Sequence, residues 1–168
     1  GGVQLFRPME NIRRINSSCE RMCIPQLDEE DALAAIEQLV RLEADWVPSA
    51  PGTSLYIRPF IIATTPSLGV HAAHDYLFAV ICCPVGAYYA EGINPVKIYV
   101  QNDDVRAVRG GMGYAKTGGN HAASIRAGEK ADQVGYSQVT WLDGVPTKYA
   151  EEAGAMNVPF HTDGTVTH

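Results

Sequence analysis

From residue 8 to residue 47, apolar positions recur every third or fourth place, the spacing that gathers side chains on one side of an α-helix. Ile12, Ile15, Cys19, Met22 and Cys23 form one such stripe, with Glu10, Arg13, Arg14, Glu20 and Arg21 on the remaining faces. The first predicted helix therefore spans Pro8 to Cys23, and proline is tolerated in the first turn because the N–H it lacks would have no partner there. A second begins near Asp28-Glu29-Glu30-Asp31, whose carboxylates suit the positive end of a helix dipole. It turns Leu33, Ile36, Leu39 and Val40 inward before Pro48 stops it, and Ser49 to Gly52 reads as a turn.

The pattern then changes. Ser54 to Ala63 and Tyr76 to Val85 are dense in β-branched and aromatic residues and read as strands, joined by a loop holding Pro66 and Gly69. Pro59 implies an edge position or a bulge in the first of them. Gly86 to Pro95 has the composition of a connector, and Val96 to Val100 starts a new strand, which divides the chain into 1–86, a connector over 87–95, and 96–168. Further on, a Gly118-Gly119-Asn120 turn leads into a helix reaching roughly Gln133, with Gly135 as its stop. Gln138 to Leu142, Lys148 to Glu151 and Met156 to Phe160 read as short strands, separated by turns at Asp143-Gly144 and Gly154. The class is α+β.

Composition narrows the function little. A chain of 168 residues, 46% hydrophobic, matches one ordinary soluble domain or two partial ones. Its net charge of −6 argues against nucleic-acid or anionic-membrane partners held by bulk charge. The first residues lack the regions of a signal peptide and no apolar run approaches the roughly 20 residues of a membrane helix, so a cytoplasmic location is the default. Cys19, Cys23, Cys82 and Cys83 match no disulfide or zinc framework and read as buried free thiols. His71-x-x-His74 has no further ligand at useful spacing beyond Asp75, and no metal site is expected.

Candidate chemistry lies in Arg109-Gly-Gly-Met-Gly-Tyr-Ala-Lys116-Thr-Gly-Gly-Asn120, where a lone amine sits between two glycine-rich turns just ahead of a helix. Glycines on both sides let backbone crowd a ligand and adopt positive φ. From these residues alone a reactive amine and a solvated loop lysine fit equally well. Glu151-Glu152 enters a second small-residue turn, and adjacent residues of an extended segment face opposite ways, so only one carboxylate can point into a site. The lysine and this carboxylate pair together suggest a Schiff-base lysine and the acid that tunes its cofactor, with an exposed acidic pair as the alternative.

Lys-x-Gly-Gly-Asn at Lys116, Glu-x-Gly-x-x-Asn at Glu152, Leu-Tyr-Ile-Arg-Pro at Leu55 and Cys-Pro-Val-Gly-Ala-Tyr at Cys83 occur in the order and near the spacing of one family. The chain closely resembles the branched-chain amino acid aminotransferases, pyridoxal 5'-phosphate enzymes of fold type IV (D-amino acid aminotransferase-like), over essentially its whole length. The family's chain is about twice as long, so the resemblance implies an interior segment. It would carry the second part of a small N-terminal domain (1–86) and the first part of a large cofactor-binding domain (96–168), parts of two α/β domains. The resemblance implies reversible transfer of the amino group of leucine, isoleucine or valine to 2-oxoglutarate, giving glutamate and 2-oxo acids, in a homodimer. Lys116 would carry the Schiff base, Glu152 would face the pyridine nitrogen, and Arg7 would bind the phosphate. Tyr56 and Arg58 would orient the substrate carboxylate, and Tyr88 would wall the side-chain pocket.

Three positions depart from the family pattern. His121 stands where a tyrosine usually hydrogen-bonds the cofactor's phenolic oxygen; imidazole can donate a similar bond. Pro159 interrupts a run that is usually a continuous apolar strand, and Ala153 replaces a valine. Two rival readings stand beside transamination of branched-chain substrates. One is a D-amino acid aminotransferase or aminodeoxychorismate lyase of the same fold; the other is a noncatalytic piece that binds or self-associates through exposed core.

Overall fold

The amphipathic stripes become two packed helices. The computed structural model describes residues 3–86, 94–145, 147–154 and 156–167, and the chain divides into two compact units, Gly1–Gly92 and Ile93–His168.

In the first unit, α1 (Pro8–Met22) and α2 (Glu29–Leu42) pack through Ile12, Ala32, Ile36 and Val40. Asp28 caps α2, its Oδ1 accepting from the N–H groups of Glu30 and Asp31 at 3.0 Å, which satisfies two donors a helix start otherwise leaves bare. The turn between the helices is held by Asn16, buried in α1, which donates to the carbonyl of Leu27 and accepts from its N–H, both at 2.9 Å. The α1 stripe is shorter than expected. Met22 and Cys23 are exposed, because the helix ends at Cys23 in a left-handed conformation with φ 56° and the chain turns away.

Strands β1 (Ser54–Ala63) and β2 (Tyr76–Val85) pair antiparallel without interruption, Ser54 opposite Val85 through Ala63 opposite Tyr76. Pro59 makes no bulge; it is accommodated because this sheet has two strands among the described residues, so each has an open edge. Ile57 and Val80 pack on the helix cluster, and by strand alternation Tyr56 and Arg58 lie on the opposite face. Of the four free cysteines only Cys19 is fully buried; Cys82 is half-buried, and Cys23 and Cys83 are exposed, since a helix end and an uncovered strand face leave them in solvent. Burial pushes the thiols of Cys19 and Cys82 up, and at Cys82 the Glu43 carboxylate adds to the effect.

The second unit is a β3–α3–β4 crossover plus an antiparallel strand. β3 (Ile98–Gln101) runs parallel to β4 (Gln138–Leu142), and β5 (Ala150–Ala153) completes a mixed sheet in the order β3-β4-β5. Helix α3 (Gly118–Gln133) lies on it through Ala127 and Ala131, small enough to admit Trp141 and Val139 at close range. No helix among the described residues is long and apolar enough to cross a membrane.

β5 starts two residues later than the sequence pattern implies, because Asp143 Oδ1 takes the N–H groups of Lys148 (2.8 Å) and Tyr149 (2.7 Å) into its own loop. The expected strand from Met156 to Phe160 does not form. Gly154, at φ 59°, reverses the chain so that Met156 only bridges back to Ala153, and Pro159 has no N–H for a ladder. Strand pairing resumes in a hairpin of β6 (Phe160–Thr162) and β7 (Thr165–Thr167), whose Asp163-Gly164 turn has positive φ at both residues.

Candidate active site

Lys116 immediately precedes Thr117, the cap of α3, so the loop after β3 delivers its amine to the start of a helix. Gly118 and Gly119 belong to that helix's first turn rather than to a separate turn, and only Gly110 in the loop takes a positive φ (79°). Two other glycines serve close packing. A Cβ on Gly113 would lie 2.5 Å from Ala107 Cβ, and one on Gly144 would lie 2.8 Å from Val108 Cγ1. Side-chain hydrogen bonds complete the frame. Asn120, 9% exposed, donates to the carbonyls of Met112 (2.8 Å) and Ala115 (2.7 Å). At the other end, buried Gln101 donates to Asp104 and accepts from the N–H of Asp103, while Arg126 and Lys130 of α3 pair with Asp104 and Asp103.

Lys116 is exposed, within a loop otherwise fixed at both ends. Glu152 is half-buried on β5 opposite Trp141, and its Oε2 meets Arg106 Nη1 at 2.8 Å. Glu151 is exposed, as alternation requires. His121, in the first turn of α3, is exposed.

The remaining expected residues lie in the first unit. Arg7 caps α1 in a left-handed conformation with φ 46°, its side chain exposed and its carbonyl accepting from Asn11 Nδ2 at 3.2 Å. Tyr56 and Arg58 are brought together on one strand face: Arg58 Nη2 donates to the Tyr56 hydroxyl at 3.0 Å and the guanidinium stacks 5.3 Å from the ring centre. Tyr88 lies outside the described residues. A cleft of about 510 Å³ in this unit is lined by Leu39, Trp46, Val80 and Pro84, with Glu43 its one charged group among the described residues; none of the expected site residues that are described lines it.

Arg106 and Asn120 carry the site's geometry and were not among the residues singled out for chemistry. Asn120 stands inside the Lys-x-Gly-Gly-Asn motif, where a polar residue in a helix's first turn is a signal for a backbone clamp. Nothing local marks Arg106 over Arg109.

The donor set of the second unit fits pyridoxal phosphate. It offers a primary amine for the aldehyde and a carboxylate for the ring N–H, and at Gly118 and Gly119 an added Cβ would meet nothing within 4 Å.

No family model matches the chain. Branched-chain-amino-acid transaminase 1 of Bacillus subtilis is 58% identical over 165 residues, which are 98% of this chain and 46% of that protein. The branched-chain-amino-acid aminotransferase of Mycolicibacterium smegmatis is 45% identical over 161 residues, 95% of this chain and 44% of its own length. The chain thus spans about half the length of the curated relatives it matches. Among solved structures, a branched-chain amino acid aminotransferase with pyridoxamine 5'-phosphate superposes with a TM-score of 0.79 at 27% identity, covering 96% of this chain and 52% of that one. The Escherichia coli branched-chain aminotransferase, at 23% identity and TM-score 0.73, covers 96% and 50% and shares the fold. The fold is that of the fold type IV pyridoxal-phosphate enzymes. Within that class, the chain is similar over nearly its whole length to branched-chain aminotransferases.

Proposed function

We propose that the protein is a branched-chain amino acid aminotransferase, moving the amino group of leucine, isoleucine or valine reversibly to 2-oxoglutarate with pyridoxal 5'-phosphate as cofactor. What supports this most is the clamped Lys-x-Gly-Gly-Asn loop, which presents Lys116 at the head of α3 in a unit that also holds a half-buried, arginine-paired Glu152. The names of its relatives point the same way.

Bound pyridoxal phosphate supplies an aldehyde for the amino group and a ring that draws electrons from the α-carbon. Lys116 Nζ is the amine that holds the cofactor and, once released, the base that takes the α-proton and returns it. Glu152 would accept the ring N–H. Arg7 offers its guanidinium to the phosphate, and His121 donates to the phenolic oxygen. Arg58 and Tyr56, already joined, receive the substrate carboxylate, and Tyr88 walls an apolar pocket. Such a pocket discriminates single methylenes weakly, which suits three branched substrates together. The first unit is read as part of the small domain and the second as the start of the large one, in a cytoplasmic homodimer.

The test is aminotransfer from leucine to 2-oxoglutarate by protein from the complete reading frame. The proposal expects activity that Lys116→Ala abolishes; an intact rate in that variant, or a preference for D-alanine over leucine, overturns it.

A further inference from the structure

We infer that Arg106 is a positioning residue for the cofactor's pyridine nitrogen, acting through Glu152; this rests on the reading of Glu152 above. The pair is unlike the other ion pairs among the described residues. Arg106 and Glu152 side chains are 20% and 23% exposed, whereas every other pair has at least one partner more than half exposed. Exposed pairs hold geometry poorly, but a largely desolvated guanidinium–carboxylate contact at 2.8 Å fixes both groups.

The arginine is itself held. Two residues before it, Asp104 is tied to Gln101 and Arg126. Directly after it, Ala107 and Val108 sit against Gly113 and Gly144 so tightly that a Cβ on either glycine would collide. The loop that presents Lys116 therefore also carries the cation that grips Glu152, and the two functional groups share one frame. Arg106 occupies Oε2, and a carboxylate has a second oxygen for an N–H donor. A glutamate has three rotatable side-chain bonds, and a hydrogen bond weakens steeply away from linearity. Anchoring one oxygen is what aims the other.

The experiment titrates the visible absorbance of the cofactor on the holoenzyme against pH for wild type, Arg106→Gln, Arg106→Lys, Glu152→Gln and the double Gln variant. Borohydride reduction and mass measurement verify attachment at Lys116 in each. The expected result is that Arg106→Gln moves the midpoint in the same direction as Glu152→Gln, by on the order of one pH unit. Arg106→Lys should fall between it and wild type, and the double variant should move no further than Glu152→Gln alone. If Arg106→Gln does not fold, Arg106→Lys decides by the same criterion. Wild-type titration in the Arg106 variants, or a shift opposite to that of Glu152→Gln, overturns the role of Arg106 while leaving Glu152 its own. An unmoved midpoint in Glu152→Gln overturns both.

Discussion

Asn120 donates a 2.7 Å hydrogen bond to the carbonyl of Ala115, the residue immediately before Lys116. Its second amide hydrogen goes to Met112, so one buried side chain closes the loop that presents the amine. Asn120→Ala removes both bonds, leaving the Met112 carbonyl only the N–H of Ala115, and should cost about 1–3 kcal/mol, measured as a lower urea midpoint. Asn120→Asp should do no better, because a carboxylate has no hydrogen to give. Cofactor attachment should fall in both.

Two glycines a short distance apart should respond with opposite signs. Gly113→Ala drives a methyl to 2.5 Å from Ala107 Cβ, an overpacking worth about 1–3 kcal/mol of destabilisation. Gly119→Ala meets nothing within 4 Å in the first turn of α3, and lowering the freedom of the unfolded chain should stabilise by roughly 0.4–1 kcal/mol. Urea unfolding of both variants checks the pair.

Asp143 sets an acid limit on the β4–β5 connection. The N–H of Tyr149, then that of Lys148, holds its carboxyl below the usual value of 3.8. A depressed folded pKa contributes stability that is present above the unfolded value and lost as pH falls through the folded one. The difference in unfolding midpoint between wild type and Asp143→Ala should therefore be constant above about pH 5 and shrink as the pH falls below 3.8.

Much of this architecture is legible in the sequence because local signals and tertiary packing agree. Ser54–Ala63 and Tyr76–Val85 form strands over the expected residues, since two runs rich in β-branched and aromatic side chains can pair with each other. The Asp28 cap marks its helix for a similarly local reason. Reading fails where loop hydrogen bonds and backbone conformation override the strand pattern. Asp143 withholds two N–H groups from β5, and Gly154 with Pro159 removes the strand expected up to Phe160. Asp163-Gly164 is a local hairpin signal that lies beyond the expected strands. Lys116 and Glu152 stand out by motif, whereas Arg106 becomes visible only when the fold brings a distant loop to β5.

Tyr56 and Arg58 should act on substrate and not on folding, since their mutual contact sits on an exposed strand face. Tyr56→Phe removes only the hydroxyl that accepts from Arg58; unfolding should stay within about 0.5 kcal/mol of wild type while KM for leucine rises. Steady-state kinetics beside urea titration checks this.

Lys116 as the point of cofactor attachment is most directly tested by borohydride reduction of the protein incubated with pyridoxal phosphate, followed by intact mass and peptide mapping. One pyridoxyl adduct per chain, located at Lys116 and absent from Lys116→Ala, is the predicted result. A chain that gains no adduct, or an adduct that persists in Lys116→Ala, would contradict the account.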